Sequence, residues 1–314
     1  MPPPTIPQED IQNLLGHVVP HIEDHIQSQK DIQWKSPFIL GLTGLQGSGK
    51  STWTDILVQS LNELYHYKTI NISLDDLYHD HDELVRIRTG NPSNKLLQTR
   101  GQPGTHDTEL AVQFFHSVAD VDSETLIPSF DKSLFNGEGG RAPRETWNQV
   151  DAGTAIDVIV FEGWCVGFSP LEESDIQRRW SEGTQNENAA KFPTETLKEH
   201  LIEHLVCVNG NLREYYDLFM GPRHFNFLVH LDTDDLVNVY EWRIQQEQAL
   251  RAKTGNGMTD EEVVNFVKGY MPAYELYLDQ LRSGFFGLGQ SFSGRGQLRI
   301  ILDKKRKVTK IMSY

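Results

Sequence analysis

Apolar positions along this chain follow two rhythms, short runs of strand length and longer stretches at helical spacing, and their alternation predicts a layered α/β architecture. Ile11, Leu14, Leu15, Val18, Val19, Ile22 and Ile26 recur three and four residues apart, which predicts a helix packed on the core. Pro20 lies inside that pattern and should kink or divide the helix. Phe38-Ile39-Leu40-Gly41-Leu42-Thr43 has the continuous apolar character of a buried strand, and a helix is expected from Lys50 to about Tyr65. Thr69 to Leu74 alternates instead: Ile70, Ile72 and Leu74 share one face, and Asn71 and Ser73 share the other and lead to Asp75.

A helix through Leu110, Val112, Phe114, Phe115 and Val118 comes next, followed by a loop-rich stretch from Ile127 to Asn148 and an apolar strand from Ile156 to Phe161. Residues 172–200 are polar and read as a mobile surface insertion with some local helix. Phe225 to Leu231 predicts another strand, and Asp235 to about Ala252 a charged helix that the Gly255-Asn256-Gly257 turn breaks. Thr259 begins a further helix, with Glu262 placed to complete a capping box, and the pattern runs toward Pro272. Leu298 to Leu302 is a last strand, expected to pair with Val308 to Met312. The order predicts a mainly parallel central sheet with helices on both faces. Residues 1–36 form a helical extension, 37–314 the main domain, and about 235–271 a helical lid.

The first strand runs into Gly44-Leu45-Gln46-Gly47-Ser48-Gly49-Lys50-Ser51, a complete G-x-x-x-x-G-K-[ST] phosphate loop. Backbone N–H groups of such a loop turn inward around the β- and γ-phosphates of a nucleoside triphosphate. Ser51 and Thr52 open a helix whose positive dipole end faces the same anion. Lys50 adds a mobile cation and Ser51 a hydroxyl for Mg²⁺, so Gly44 through Thr52 is the expected site for ATP and its metal.

Asp75-Asp76-Leu77-Tyr78 leaves the second strand at its carboxyl end, where parallel sheets place ligands. A carboxylate there can take the proton of an alcohol that attacks a phosphoryl group, and the strand's alternation favours Asp75 over Asp76. The alternative is that both merely cap the next turn. Glu162 ends the strongest interior strand, where a carboxylate would hold Mg²⁺ directly or through water. Arg100-Gly101-Gln102-Pro103-Gly104-Thr105-His106-Asp107 is a rigid polar loop in which Arg100 could pair with a carboxylate, while Thr105 and His106 could contact an acceptor. Phe130-Asp131-Lys132-Ser133, with Arg141 and Arg144, is a second set of candidates. Arg243, Glu247 and Arg251 share a helix face: either a solvated face laced by ion pairs or a lid surface facing the phosphates.

The 314 residues carry a formal net charge of −15, which disfavours nucleic acid or an anionic membrane as the main partner. A small anionic substrate must then be held by local cations, which can dominate because charges beyond about 8 Å are screened at physiological salt. Cys165 and Cys207 form no C-x-x-C pair, so neither a disulfide framework nor a zinc site is suggested. No apolar run approaches the ~18 residues that span a bilayer. The first residues have neither the apolar core of a signal peptide nor the Arg-rich character of an organellar transit peptide, so cytoplasm, with the nucleus as an addition, is the expected compartment. Neither an N-K-x-D guanine signature nor a D-x-x-G switch sequence is present, which argues against a GTPase.

Taken together, G-L-T-G-L-Q-G-S-G-K-S-T, S-L-D-D-L-Y, R-G-Q-P-G-T-H-D, F-D-K-S, F-E-G-W and W-R-I-Q-Q-E resemble the glycerate 3-kinase-like family of plants and fungi, over roughly residues 37–312 in motif order. That family is similar to the uridine kinase, phosphoribulokinase and pantothenate kinase group, so the resemblance implies a three-layer P-loop kinase fold. It also implies that Asp75 takes the acceptor-base position, Lys50 and Ser51 the ATP and Mg²⁺ positions, and Glu162 the acidic strand-end position. The expectation is an ATP-dependent kinase phosphorylating a hydroxyl of a small acceptor, D-glycerate first. Asp75, Lys50 and Arg243 would carry the chemistry, and Asp75, Tyr78, Arg100, Thr105, His106 and Lys132 would surround the acceptor. Four loop cations, Arg100, Lys132, Arg141 and Arg144, suit a carboxylate. The alternatives are a nucleoside acceptor stacked on Tyr78, Phe130, Trp147 and Trp164, and an ATP-binding protein without catalysis.

Overall fold

The strands that build the sheet are visible in a computed structural model, which describes residues 6–30, 36–184, 191–287 and 294–314. In chain order they are β1 (Phe38–Gly44), β2 (Thr69–Ser73), the short β3 (Thr125–Ile127), β4 (Phe130–Asp131), β5 (Gly140–Arg141) and β6 (Asn148–Val150), then β7 (Val158–Gly163), β8 (Phe227–Asp232), β9 (Gly296–Leu302) and β10 (Val308–Ser313). The main sheet has the order β10-β9-β8-β1-β7-β2, and every neighbouring pair is parallel except β9 with β10. β3 pairs with β6 and β4 with β5, each pair antiparallel and separate from the main sheet's ladder. β1 lies between β7 and β8 with Leu40 opposite both Val160 and Phe227, and every residue of β8 is buried. Strands covered on both faces have no polar side to present, which is why these segments read as unbroken apolar runs.

The helices are α1 (Gln8–Ser28), α2 (Lys50–Glu63), α3 (His81–Gly90), α4 (Thr108–Ala119), α5 (Glu173–Glu182), α6 (Ile202–Tyr215), α7 (Val237–Thr254), α8 (Asp260–Lys268) and α9 (Met271–Ser283). α1 runs through Pro20 as one helix and is not divided there. Pro20 and Gly16, whose carbonyl the proline leaves without a donor, both face solvent, while Leu14, Leu15, Val18, Val19 and Ile22 are buried. Five buried apolar side chains at ~1.5–3 kcal/mol each outweigh the ~3 kcal/mol that an interior proline costs. Pro272 likewise does not end a helix but stands in the first turn of α9, where its missing N–H is no loss.

The polar stretch 172–200 contains α5, which buries Ile176, and a turn that buries Leu197. Glu275 of α9 accepts hydrogen bonds from the Thr196 backbone N–H at 2.6 Å and its hydroxyl at 2.7 Å. These parts are docked on the domain by a few anchors that periodicity could not single out. Residues 185–190 of the same stretch lie outside the described residues.

Asp232 closes β8 with a fully buried carboxylate. Arg282 donates to it through Nε at 2.8 Å and Nη2 at 2.9 Å, and Arg299 Nη2 lies 2.6 Å away. Burial acts to raise this carboxyl, but the Arg282 hydrogen bonds and the charges of His230, Arg282 and Arg299 prevail and hold it at about 2. Asp232→Asn should therefore cost about 3–5 kcal/mol, read from a denaturation midpoint, because two guanidinium groups lose their counter-charge. The folded value lies below the ordinary 3.8, so this contribution is complete above about pH 4 and is lost as pH falls through about 2.

Candidate active site

β1 delivers the chain to the phosphate loop at the carboxyl edge of the sheet. The loop turns on the Ser48 N–H, which donates to the Leu45 carbonyl at 3.1 Å. Gly47 has φ +80°, and a Cβ there would come within 2.8 Å of the Trp242 Cβ on α7, so backbone and neighbour both require glycine. No side chain caps the start of α2. Its first N–H groups are therefore available to an anion, as phosphate binding at a helix start demands.

β2 ends at Ser73, which caps a single 3₁₀ turn, Leu74–Leu77. The Asp76 carboxylate accepts the Ser73 N–H at 3.1 Å and the Phe130 N–H at 3.4 Å, completing a reciprocal cap. Asp76 is thereby committed to backbone, and Asp75 is the one that faces the cavity. Glu162 stands opposite Ser73 in the β2–β7 register, and the Ser73 hydroxyl donates to its Oε1 at 2.6 Å.

A cavity of about 600 Å³ connects these elements. Gln46, Gly47, Gly49, Lys50, Ser51 and Thr52 form one wall, whereas Gly44, Leu45 and Ser48 are buried behind it. Asp75, Tyr78, Arg100, Lys132 and Glu162 line the same cavity. Four cations, Lys50, Arg100, Lys132 and Arg243, face two carboxylates, Asp75 and Glu162, so the lining is locally cationic in a chain of net charge −15. That excess is what a polyanionic ligand needs.

The charges in the cavity tune one another. Burial lowers the Lys50 ammonium, while Glu162 and then Asp75 draw it back up. Burial raises Glu162, opposed by Lys50 and the Ser73 hydrogen bond, and leaves it above the usual carboxylate value. Burial would raise Asp75 too, but Lys132, whose Nζ lies 2.5 Å from Oδ2, outweighs it and leaves the group below its ordinary value. A carboxylate held in its charged form can accept a proton, and Asp75 shares one cavity with the phosphate loop.

Several expected acceptor contacts are not assembled. Thr105 is buried, donating to the Gln102 carbonyl at 2.8 Å and accepting the Gly101 N–H at 3.0 Å. His106 is buried behind Tyr78, with ring centroids 4.3 Å apart, and does not line the cavity. The loop reads as polar in sequence, yet its tip folds inward to satisfy its own backbone. Arg141 pairs with Asp107 at 2.8 Å, and Arg144 lies 5.9 Å from the Trp147 ring; both belong to a separate groove along α4. Of the four aromatic residues proposed to stack on a base, Tyr78 and Trp164 reach the cavity, Phe130 packs edge-on against Tyr78, and Trp147 is elsewhere.

The helices expected as a lid form another wall. Arg243 lines the cavity while pairing with Glu247 at 3.1 Å, and its guanidinium lies 5.1 Å from the Phe266 ring of α8. Arg251 instead pairs with Asp260 at 2.5 Å, so of the three positions on that helix face Arg243 is the cation turned to the site. Sequence reasoning missed Arg306 and Tyr274. Arg306 donates to the Gly47 carbonyl at 2.7 Å and the Trp242 carbonyl at 2.8 Å, tying the phosphate loop to α7, and the Tyr274 hydroxyl accepts the Gln46 N–H at 3.0 Å. Neither lies in a motif, and no local spacing marks them.

No family model matches the chain. It is 32% identical over 305 residues to "Probable ATP-dependent kinase TDA10" of Saccharomyces cerevisiae, covering 95% of each chain. It is 33% identical over 290 residues to "D-glycerate 3-kinase, chloroplastic" of Arabidopsis thaliana, covering 88% of this chain and 57% of the plant protein. The solved structure of D-glycerate 3-kinase from Cryptococcus neoformans is similar with a TM-score of 0.82 at 33% identity, over 97% of this chain and 99% of that one. With a phosphate loop, a facing carboxylate and this likeness along nearly its whole length, the chain belongs to the glycerate 3-kinase-like family of plants and fungi and is an ATP-dependent kinase that phosphorylates an alcohol.

Proposed function

We propose that the acceptor is D-glycerate and that the phosphoryl group reaches it from ATP carrying Mg²⁺. The carrying observation is that Asp75 and two cations, Lys132 and Arg100, line the same cavity as the phosphate loop. The acceptor hydroxyl gives its proton to Asp75 as its oxygen bonds to the γ-phosphorus, and ADP departs along the phosphate loop. Lys50 and the α2 N–H groups receive the charge on the transferring and leaving oxygens. Arg100 Nη1 donates to the Gly137 carbonyl at 2.8 Å and the Glu138 carbonyl at 2.6 Å, which leaves the rest of its planar fork for a carboxylate. Lys132 supplies a second positive charge on the same side.

The donor set fits Mg²⁺: the Ser51 hydroxyl and the Glu162 carboxylate line the same cavity and would serve as hard oxygen ligands. Among the described residues no group of three or more His, Cys, Asp and Glu could hold a metal, so the ion would depend on phosphate oxygens and water for its remaining ligands. When bound, it neutralises charge on the β- and γ-phosphates.

ADP release measured over D-glycerate, glycerol, uridine and pantothenate tests this reading. D-glycerate should support turnover, uridine should not, and glycerol, lacking the carboxylate, should lose about 10- to 100-fold in kcat/KM for the missing charged hydrogen bonds. Faster turnover with uridine than with D-glycerate would overturn the assignment.

A further inference from the structure

The R-G-Q-P-G-T-H-D loop contributes one side chain, Arg100, to the cavity, while Gln102, Thr105 and His106 are buried. Two backbone hydrogen bonds pair it with the segment that follows Asp75: His79 N–H to the Thr105 carbonyl at 3.1 Å, and Asp107 N–H to the Leu77 carbonyl at 2.7 Å. Its tip is seated on α6, where Asn211 donates to the Pro103 carbonyl at 3.0 Å. Gly104 has φ +103°, and any side chain there would collide with Asn211.

Tyr215 of α6 settles the chemistry of His106. Its phenolic oxygen accepts two backbone N–H groups, from Gly104 at 2.7 Å and from His106 at 3.0 Å. Its own proton is then left for the neighbouring His106 Nδ1, 3.0 Å away. Nδ1 is therefore an acceptor, and the ring proton must sit on Nε2. Burial keeps the imidazole neutral, lowering its value to about 3. The ring lies nearly parallel to Tyr78, 21° from it, and Tyr78 in turn faces the Asp75 carboxylate. His106 Nε2 is buried with no hydrogen-bond partner among the described residues. A buried donor without a partner is destabilising, and phenylalanine would fill the space without that cost.

We infer that His106 is a positioning residue for phosphoryl transfer: a neutral imidazole in its Nε2–H form, fixed by Tyr215, whose stacked ring holds Tyr78 and through it the orientation of Asp75. The inference rests on the reading of Asp75 as the base. The chain of contacts runs from α6 to the cavity without a flexible link, so a loss at His106 reaches the reacting hydroxyl and not the nucleotide.

Nitrogen-15 spectra of the imidazole groups, steady-state kinetics and direct ATP binding test it on the 314-residue chain. The spectrum should show His106 protonated on Nε2 alone, and Tyr215→Phe should abolish that single form. His106→Phe keeps a ring beside Tyr78 but loses the Tyr215 hydrogen bond that fixes it, so kcat should fall at least tenfold while ATP affinity stays within twofold. A Nδ1–H or doubly protonated His106, or His106→Phe with unchanged kcat, would overturn the proposal. Equal losses of ATP affinity and kcat would also overturn it, because they mark a merely structural role. Should His106→Phe not fold, Tyr78→Phe, which keeps the stacked ring and removes the hydroxyl facing Asp75, must show the same fall in kcat with ATP binding kept. Full turnover in Asp75→Asn would defeat the base assignment alone and leave the tautomer result standing, so the two failures are distinguishable.

Discussion

Asp75→Asn should bind ATP as the unsubstituted chain does and lose about 10²- to 10⁴-fold in acceptor-dependent ADP formation. The amide is isosteric with the carboxylate and keeps the cap intact, because the reciprocal bonds of the 3₁₀ turn belong to Ser73 and Asp76. What it loses is proton acceptance at the atom facing the phosphate loop, and the counter-charge for Lys132 at 2.5 Å. Lys132 is more than half exposed, so losing that pair should cost little stability. Measured ATP affinity therefore separates a chemical loss from a folding loss. Because Lys132 holds Asp75 below its ordinary value, the base form persists through neutral pH, and the acid limb of kcat/KM should fall below about pH 4. Turnover equal to the unsubstituted chain would remove Asp75 from the base role.

Lys50→Met should be the most damaging change on the nucleotide side, with kcat/KM for ATP falling about 10²- to 10³-fold or more. Methionine preserves the length of the stem and leaves out the charge. That charge interacts with Glu162 and Asp75, whose attraction offsets only part of the burial that lowers the ammonium. Without it the cavity carries three cations against two carboxylates, and the γ-phosphoryl loses the cation nearest the loop. Folding should survive, because removing a partly desolvated ammonium relieves its own burial penalty. Kinetics and ATP binding should both suffer in this variant, in contrast to Asp75→Asn. An unchanged KM for ATP together with an unchanged kcat would show that the loop binds its nucleotide without this lysine.

Much of the scaffold is legible because its signals are local. Buried parallel strands are apolar runs, the phosphate loop is a contiguous pattern, and Thr259 with Glu262 forms the capping box its spacing implies. Asp75 is separable from Asp76 by strand alternation, and the structure adds the physical reason in the commitment of Asp76 to two backbone N–H groups. Where tertiary contacts decide, local patterns mislead. Pro20 is tolerated because five residues on the opposite face of α1 are buried, and α3, which buries no residue, leaves no apolar stripe to detect. Thr105 and His106 are polar residues in a polar loop: Thr105 is turned inward by bonds to Gly101 and Gln102 of the loop itself, and His106 by Tyr215 of α6. Arg141 and Arg144 are cations in the right segment on the wrong side of it, which spacing alone could not show. Arg306 is separated from the phosphate loop by 259 positions, so its tie to Gly47 is a property of the folded chain alone.

A crystal structure with a non-hydrolysable ATP analogue, Mg²⁺ and D-glycerate would test the central claim most directly. The triphosphate should lie in the Gly44–Ser51 loop and the acceptor hydroxyl within about 3 Å of the Asp75 carboxylate, in line with the γ-phosphorus. An acceptor bound outside this cavity, or a hydroxyl turned away from Asp75 with the nucleotide in place, would contradict it.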